Sequence, residues 1–354
     1  MTAIYLKDQK ISYKELLAAI LNREVPSQIF PVTNTFDCVI NVLTCFIKGI
    51  PFFPYSPHLM EKPNITFESG CEIILHTSGS SKMKFPSFTR KAFIASCMNT
   101  HPAFMLLESD VYLLNLPLYH VAGLCILLRA FLRGAAIAID PTDLSLITHV
   151  SMVPAQTEIL MQQNFFPNLK ALLLGGSKIS SSLADSLVAS GYPLYVTYGL
   201  TEMCSHVFVE KYKKGEGLYF TKPLRGRKVT INKKGILLIK PSWLSSYYNT
   251  NDLFSFEDGK YRILARADDM FISGGENIYP DEIKRVLMKI PGIKRVEIEI
   301  KEHIKWGNRP FVSIYSDESI TLDAIKKHLS ETLEKFKCPK DHEIALYSSN
   351  QLPT

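Results

Sequence analysis

The sequence predicts an α/β protein with a large, multi-layer N-terminal domain built on mainly parallel sheets, followed by a small α+β C-terminal cap. Two observations carry that prediction. From Val111 to Thr197, short aliphatic and β-branched runs alternate with amphipathic runs of helical length. Such alternation implies crossover connections, which join parallel strands. After Ile290 it stops, and two strand-like runs and one amphipathic helix follow.

Each element has a local reason. In Ile11–Leu21, Ser12 is placed to cap a helix with Glu15 three residues on, and Leu16, Leu17, Ile20 and Leu21 recur at helical spacing. Asn34–Pro57 reads as a helix, a Gly49 terminator and a buried strand entering a proline-rich turn. Ile73–Leu75 is a strand that runs into Thr77, Ser78, Gly79, Ser80 and Ser81, followed by Lys82 and Lys84. Strands are then expected over Val111–Leu116, Ala135–Ile139, Val150–Val153, Leu169–Leu174 and Leu194–Thr197. Helices are expected up to Arg133, over Ala155–Gln163 and over Ser180–Ser190. Further on, Gly274 and Gly275 make a turn, and Pro280, Asp281 and Glu282 open a helix that Gly292 closes. Val296–Ile300 and Pro310–Tyr315 alternate as strands, and Leu322–Phe336 has helical spacing.

At 354 residues the chain has room for two or three domains, and 46% hydrophobic with 21% charged residues is the balance of a soluble folded protein. The net charge of +6 suits an anionic cofactor, but Lys and Arg are scattered, which argues against a nucleic-acid surface. The seven cysteines form no CxxC pair and fit free thiols in a reducing cytoplasm better than disulfides or zinc. The N-terminus lacks the charged-then-apolar layout of a secretion signal. The longest apolar runs, Val39–Ile47 and Val121–Leu128, end at Lys48 and Arg129, too short to cross a bilayer.

Ligands of parallel sheets sit beyond the carboxyl ends of strands. Thr77–Lys84, His120, Gly175–Ser177 and Tyr198–Glu202 all lie there. Amides, hydroxyls and ammonium groups converging on 77–84 are what a triphosphate needs, although a Ser/Gly run is also an ordinary flexible turn. Gly175, Gly176 and Ser177 either expose backbone for an adenine to stack on or form a plain strand-to-helix turn. In Tyr198-Gly199-Leu200-Thr201-Glu202 there is an aromatic face, a hydroxyl for a phosphate oxygen and a carboxylate for Mg²⁺. The same letters fit a capped helix start. His120 reads as a core histidine or as pocket lining, and Asp252 and Arg266 by themselves read as surface salt-bridge residues.

The run RADDMFISGGENIYPDEI, Arg266–Ile283, resembles the hinge and following loop of the adenylate-forming acyl- and aryl-CoA ligases, the superfamily that includes firefly luciferase and peptide-synthetase adenylation domains. Other motifs follow in that family's order. TSGSSKMK is similar to the TSGTTGxPK phosphate loop, one Gly short and with Met83 near the usual Pro. LLLGGSKI and YGLTEMCSHV match next, and NTND resembles TGD with Asn251 in place of Gly. Trp306-Gly307 and FKCPK resemble the WG and F/YKxP signatures. The likeness spans Ser12–Pro353. The stretch before Asn34 is short for the family, and the family's LPxTxxGK lysine is expected beyond Thr354.

The resemblance implies a 1–266 domain that binds ATP and the acid, and a mobile 267–354 domain hinged at Asp268. It implies a carboxylate attacking ATP to give an acyl-adenylate, then CoA displacing AMP. Thr77–Ser81, Lys82, Lys84, Gly175, Gly176, Ser177, Tyr198, Gly199 and Thr201 would hold the nucleotide, with Asp252 and Arg266 at the ribose. His120, Thr201 and Glu202 would be catalytic, with Glu202 on Mg²⁺. His120, Ser205 and His206 would line the acid pocket, and the Gly274–Asn277 loop, with Gly274, Gly275 and Glu276 as cofactor-binding residues, would turn to the site and shape a pantetheine tunnel. The stretch LLLGGSKISSSLADSLVASGYPLYVTYGLTEMCSHV is most similar to the 2-succinylbenzoate–CoA ligases of menaquinone synthesis. Another acyl- or aryl-CoA ligase, or a member that binds nucleotide or acyl-adenylate without turnover, are the alternatives.

Overall fold

Local capping chemistry starts the first helix where the sequence places it. Strands β1 (Thr2–Leu6) and β2 (Gln9–Ser12) form a hairpin that runs into α1 (Tyr13–Asn22). The Ser12 hydroxyl accepts from the Glu15 amide, and the Glu15 carboxylate accepts from the Ser12 amide at 2.8 Å, closing a capping box. The computed structural model describes the chain except for positions 8, 26, 34, 58–63, 77–83, 158–159, 161–165, 268–270, 274–275, 304–306, 317–319, 336 and 352–354. Contacts divide it into two units, Met1–Val229 with Lys240–Tyr247, and Thr230–Ile239 with Tyr248–Thr354.

In the first unit, β3 (Ile29–Pro31) pairs in parallel with β4 (Phe53–Tyr55) across α2 (Phe36–Lys48). That helix stops at Gly49, whose φ of 72° only glycine adopts without strain. A short pair, β5 (Ile73–Ile74) and β6 (Ser87–Phe88), precedes α3 (Arg90–Phe104). The main sheet is then built from β7 (Val111–Leu113), β8 (Ala136–Ile139), β9 (His149–Met152), β10 (Ala171–Leu174), β11 (Leu194–Leu200) and β12 (Ser205–Lys211). Helix α4 (Val121–Arg133) links β7 to β8, and α5 (Ser181–Ala189) links β10 to β11. The strand order is β12-β11-β10-β9-β7-β8-β1-β2.

Pairs from β11 through β1 are parallel, as the alternation predicts, and only the two edge strands run antiparallel. Every residue of β8, β9 and β10 is buried, the pattern of parallel strands covered on both faces. Because β7 lies between β8 and β9, the chain leaves β8 and crosses to the other side. The carboxyl ends of β7 and β9 are therefore a topological switch point, where open sheets of this kind bind ligands. Of the helix expected over Ala155–Gln163, the described part is one 3₁₀ turn, Pro154–Gln156, and Leu160; most of the rest lies outside the described residues.

After β13 (Arg227–Ile231), the second unit contains the antiparallel strands β14 (Ile236–Pro241), β15 (Tyr248–Glu257) and β16 (Lys260–Arg266). A second sheet follows: β17 (Phe271–Ser273), β18 (Glu276–Ile278), β19 (Ile293–His303), β20 (Gly307–Ser316) and β21 (Ile344–Ser348). It is covered by α6 (Pro280–Leu287) and α7 (Leu322–Thr332), whose Ile283, Leu287, Ile325 and Leu329 meet Val296 and Ile314 in one apolar core. Pro280 stands at the start of α6 with Asp281 and Glu282 in its first turn. This is the α+β cap that the sequence predicts, enlarged on its N-terminal side by an antiparallel sheet that the strand–helix alternation did not announce.

Candidate active site

Strand β11 delivers Tyr198 and Gly199 to its carboxyl end, where a single 3₁₀ turn, Thr201–Met203, reverses the chain into β12. The turn is tight. A Cβ on Gly199 would lie 2.1 Å from the backbone oxygen of Ser205, so only glycine permits this return. Cys204 and Ser205 take φ values of 50° and 95°, a strained pair for side-chain-bearing residues. Three groups hold them. The Ser96 hydroxyl donates to the Cys204 carbonyl at 2.5 Å, the Cys125 thiol approaches the same carbonyl at 3.6 Å, and Arg129 Nη2 donates to Ser205 Oγ at 2.9 Å. Tyr198 is largely buried and packs its ring on Phe208, its cross-strand partner, at 6.1 Å. The motif is thus the end of a strand and a 3₁₀ turn, not a helix start.

Beside it, β10 ends at Gly175, where a Cβ would sit 2.1 Å from Thr197 Oγ1. Gly176 has φ 81°, and Gly176 and Ser177 present exposed backbone. Strand β7 is followed by Leu114–Tyr119, and His120 is the N-cap of α4 without a side-chain capping bond. Ring contacts join His76, Tyr119 and His120: 5.7 Å for His76–Tyr119, 5.4 Å for His76–His120 and 4.6 Å for Tyr119–His120. Burial pushes the His76 imidazole below its usual pKa, and burial together with His76 does the same to His120.

Behind the Thr201–Glu202 turn lie two buried guanidiniums, Arg129 on α4 and Arg227 on β13, at 2% and 4% exposure. Arg129 Nη2 also lies 3.4 Å from His206 Nδ1. Arg227 Nη2 donates to Ser96 Oγ at 2.8 Å, and its guanidinium sits over the Trp243 ring at 5.2 Å. Among the described residues neither guanidinium pairs with a carboxylate, and Arg129 Nε and Arg227 Nε and Nη1 have no hydrogen-bond partner. Burial, with Arg129 adding repulsion, pulls the Arg227 pKa down to about 10. Desolvation first, then Arg129 and Arg227, hold the His206 imidazole well below its usual range, so it is neutral. Two buried positive charges without a carboxylate partner cost stability.

These arginines were missed by the sequence reading. The available signal was Arg129 itself, a charge that follows an apolar helical run and lies one turn beyond Cys125 on one face. Of the residues predicted from sequence, His120, Gly175, Gly176, Ser177, Tyr198, Gly199, Thr201, Glu202, Ser205 and His206 belong to the first unit, as does exposed Lys84. Thr77–Ser81 and Lys82 lie outside the described residues, as do Asp268, Gly274 and Gly275. Asp252 and Arg266 belong to the second unit and face one another across β15 and β16, with Arg266 Nη1 donating to Asp252 Oδ1 at 3.2 Å. Asn251, standing where the resemblance has Gly, takes φ 59°. Glu276 opens β18. No group of three or more metal-ligating side chains occurs among the described residues. Mg²⁺ bound chiefly through phosphates needs few protein ligands, so a single carboxylate such as Glu202 fits it.

Comparison with known proteins defines the class. Residues 61–236 match the family model for AMP-binding enzymes. The chain is 30% identical over 306 residues to the 2-succinylbenzoate–CoA ligase of Staphylococcus aureus strain MSSA476, an alignment covering 76% of this chain and 62% of that protein. It thus spans about three fifths of the length of the curated relatives it matches. Among solved structures, it aligns with wild-type E. coli MenE bound to an analogue of OSB-AMS at a TM-score of 0.84 and 23% identity, covering 100% of this chain and 92% of that one. It aligns with Bacillus subtilis o-succinylbenzoate CoA synthetase (MenE) in complex with OSB-AMP at 0.75 and 20%, covering 99% and 92%. These likenesses show the fold. The match to the AMP-binding enzyme family covers residues 61–236.

Proposed function

We propose that this chain is an ATP-dependent carboxylate–CoA ligase working through an acyl-adenylate, with 2-succinylbenzoate as its acid. The observation that carries the choice of acid is the buried Arg129–Arg227 pair. 2-Succinylbenzoate has two carboxylates, only one of which is activated, and the other needs a cationic seat. Arg129, with Ser205 and neutral His206 beside it, supplies donors that have no anion of their own. A seat without a carboxylate partner rejects an acid that leaves it empty, because the buried charge stays uncompensated.

The remaining roles follow the chemistry of adenylation, which is chiefly positioning and charge neutralisation. Gly175, Gly176 and Ser177 offer backbone to the adenine, Thr201 a hydroxyl to a phosphate oxygen, and Glu202 a carboxylate to Mg²⁺. Magnesium, when bound, neutralises charge on the phosphates. Asp252, held by Arg266, suits ribose hydroxyls as acceptor. Thr77–Ser81, Lys82 and Lys84 would grip the phosphates, and Asp268 is the proposed pivot for thioester formation, with Gly274, Gly275 and Glu276 turned towards CoA. The cysteines are free, four of them buried in one core, which supports a reducing compartment such as the cytoplasm. No helix of the described residues is long and apolar enough to cross a membrane. The test is to supply ATP, Mg²⁺, CoA and 2-succinylbenzoate and to measure AMP and thioester. Release of AMP with benzoate but not with 2-succinylbenzoate overturns the choice of acid, and no adenylate with any carboxylic acid overturns the ligase reading.

A further inference from the structure

His76 is not used by any role assigned above. It lies two residues beyond the end of β5, is 7% exposed, and neither ring nitrogen has a hydrogen-bond partner among the described residues. An orphaned buried polar atom costs stability, and an apolar ring would occupy the same room without that penalty. The ring is fixed by stacking on Tyr119 at 18° interplanar angle and by the edge of His120. His120 in turn is the N-cap of a 13-residue helix, α4, and its side chain caps no amide. The first turn of such a helix carries unsatisfied amides and the positive end of the dipole. Gly123, whose Cβ would lie 2.2 Å from the Pro117 carbonyl oxygen, lets the preceding loop fold tightly over that turn.

We propose that His76 is a further binding residue of the adenylation site, forming with His120 a two-imidazole seat for a carboxylate or phosphate oxygen of the reactants at the N-terminus of α4. The proposal rests on the ligase reading. Among the described residues, the titratable groups that face His76 are Tyr119 and His120. Among the described residues no carboxylate faces His76, and burial pushes both imidazoles below their usual pKa. An oxyanion entering the seat reverses that balance. Its arrival favours the charged ring, and binding takes up a proton near neutral pH.

Two measurements test this on the whole chain. Calorimetric titrations of 2-succinylbenzoate and, separately, of AMP, in two buffers of different ionisation enthalpy at pH 7.5, count the protons taken up. Histidine carbon–proton NMR of the wild-type protein follows the His76 ring with each ligand. Proton uptake and a rise in the His76 pKa with 2-succinylbenzoate alone identify the carboxylate as occupant, and the same result with AMP alone identifies the phosphate. His76→Phe, which keeps the stack on Tyr119, should bind that ligand about tenfold more weakly and without proton uptake. His76→Gln, which keeps a donor, should stay within about threefold of wild type in affinity while losing the uptake. If the wild-type His76 resonance is unmoved by both ligands, or if His76→Phe retains the uptake, the proposal fails while thioester formation by wild type leaves the ligase reading intact. A wild-type protein that binds neither ligand and makes no thioester removes both.

Discussion

Replacing Arg129 with Met separates what the residue does for binding from what it does for folding. In the folded protein the guanidinium is 2% exposed, donates to Ser205 Oγ at 2.9 Å, leaves Nε without a partner and lies in the same region as Arg227. Among the described residues its hydrogen-bond partners, Ser205, His206 and Tyr112, are uncharged groups worth about 1 kcal/mol net each, whereas removal of a buried charge relieves a desolvation cost of several kcal/mol. The thermal midpoint of Arg129→Met is therefore expected to equal or exceed that of wild type. Binding of 2-succinylbenzoate should suffer in contrast. Two charge-assisted hydrogen bonds at about 2 kcal/mol each sum to about 4 kcal/mol, close to a thousandfold in affinity. The assay pairs calorimetric unfolding with the dissociation constant and KM for 2-succinylbenzoate and for benzoate, which has one carboxylate. A variant that loses stability by 3 kcal/mol or so, or that weakens both acids equally, refutes the view of Arg129 as the seat of the second carboxylate.

Three further outcomes follow from the same geometry. Gly199→Ala should destabilise the protein by about 3 kcal/mol or more, read from denaturant midpoints, since its Cβ meets the Ser205 backbone rather than a movable side chain; a loss below 1 kcal/mol or so would mean that the turn relaxes freely. Glu202→Gln should leave the melting curve unchanged and lower adenylate formation roughly a hundredfold, with the apparent Mg²⁺ requirement raised; normal adenylation in this variant removes Glu202 from the metal. The protein should also lose stability as pH falls from 7 to 5. His76, His120, His149 and His206 all have folded pKa values below the ordinary one, with burial the largest cause in each. The unfolded chain binds protons that the folded one refuses, so stability is complete above the unfolded pKa of about 6.5 and is lost as pH drops below it, by up to about 1.4 kcal/mol for each tenfold difference in proton affinity between the two states. A melting temperature flat between pH 7 and 5 contradicts this.

What the sequence determined by itself is what neighbours along the chain can determine. Ser12 and Glu15 cap α1 through bonds between residues three apart, and Gly49 ends α2 because its own φ is positive. Asn251 tolerates the left-handed conformation that its place in the chain requires. The parallel sheet was legible because crossover helices impose a period on the apolar residues. The reversal after Tyr198 was not, because YGLTE satisfies the local rules of a helix start as well as those of a turn, and what decides is the fit of Gly199 against Ser205 across the hairpin. The same limit explains the missed residues. Arg129 and Arg227 act as a pair only after α4 and β13 are brought to Ser96 and Cys204, and His76 gains its meaning only where the β5 end meets the N-cap of α4. A charge is judged buried or solvated by what packs around it from elsewhere in the chain, and that information belongs to the tertiary structure alone.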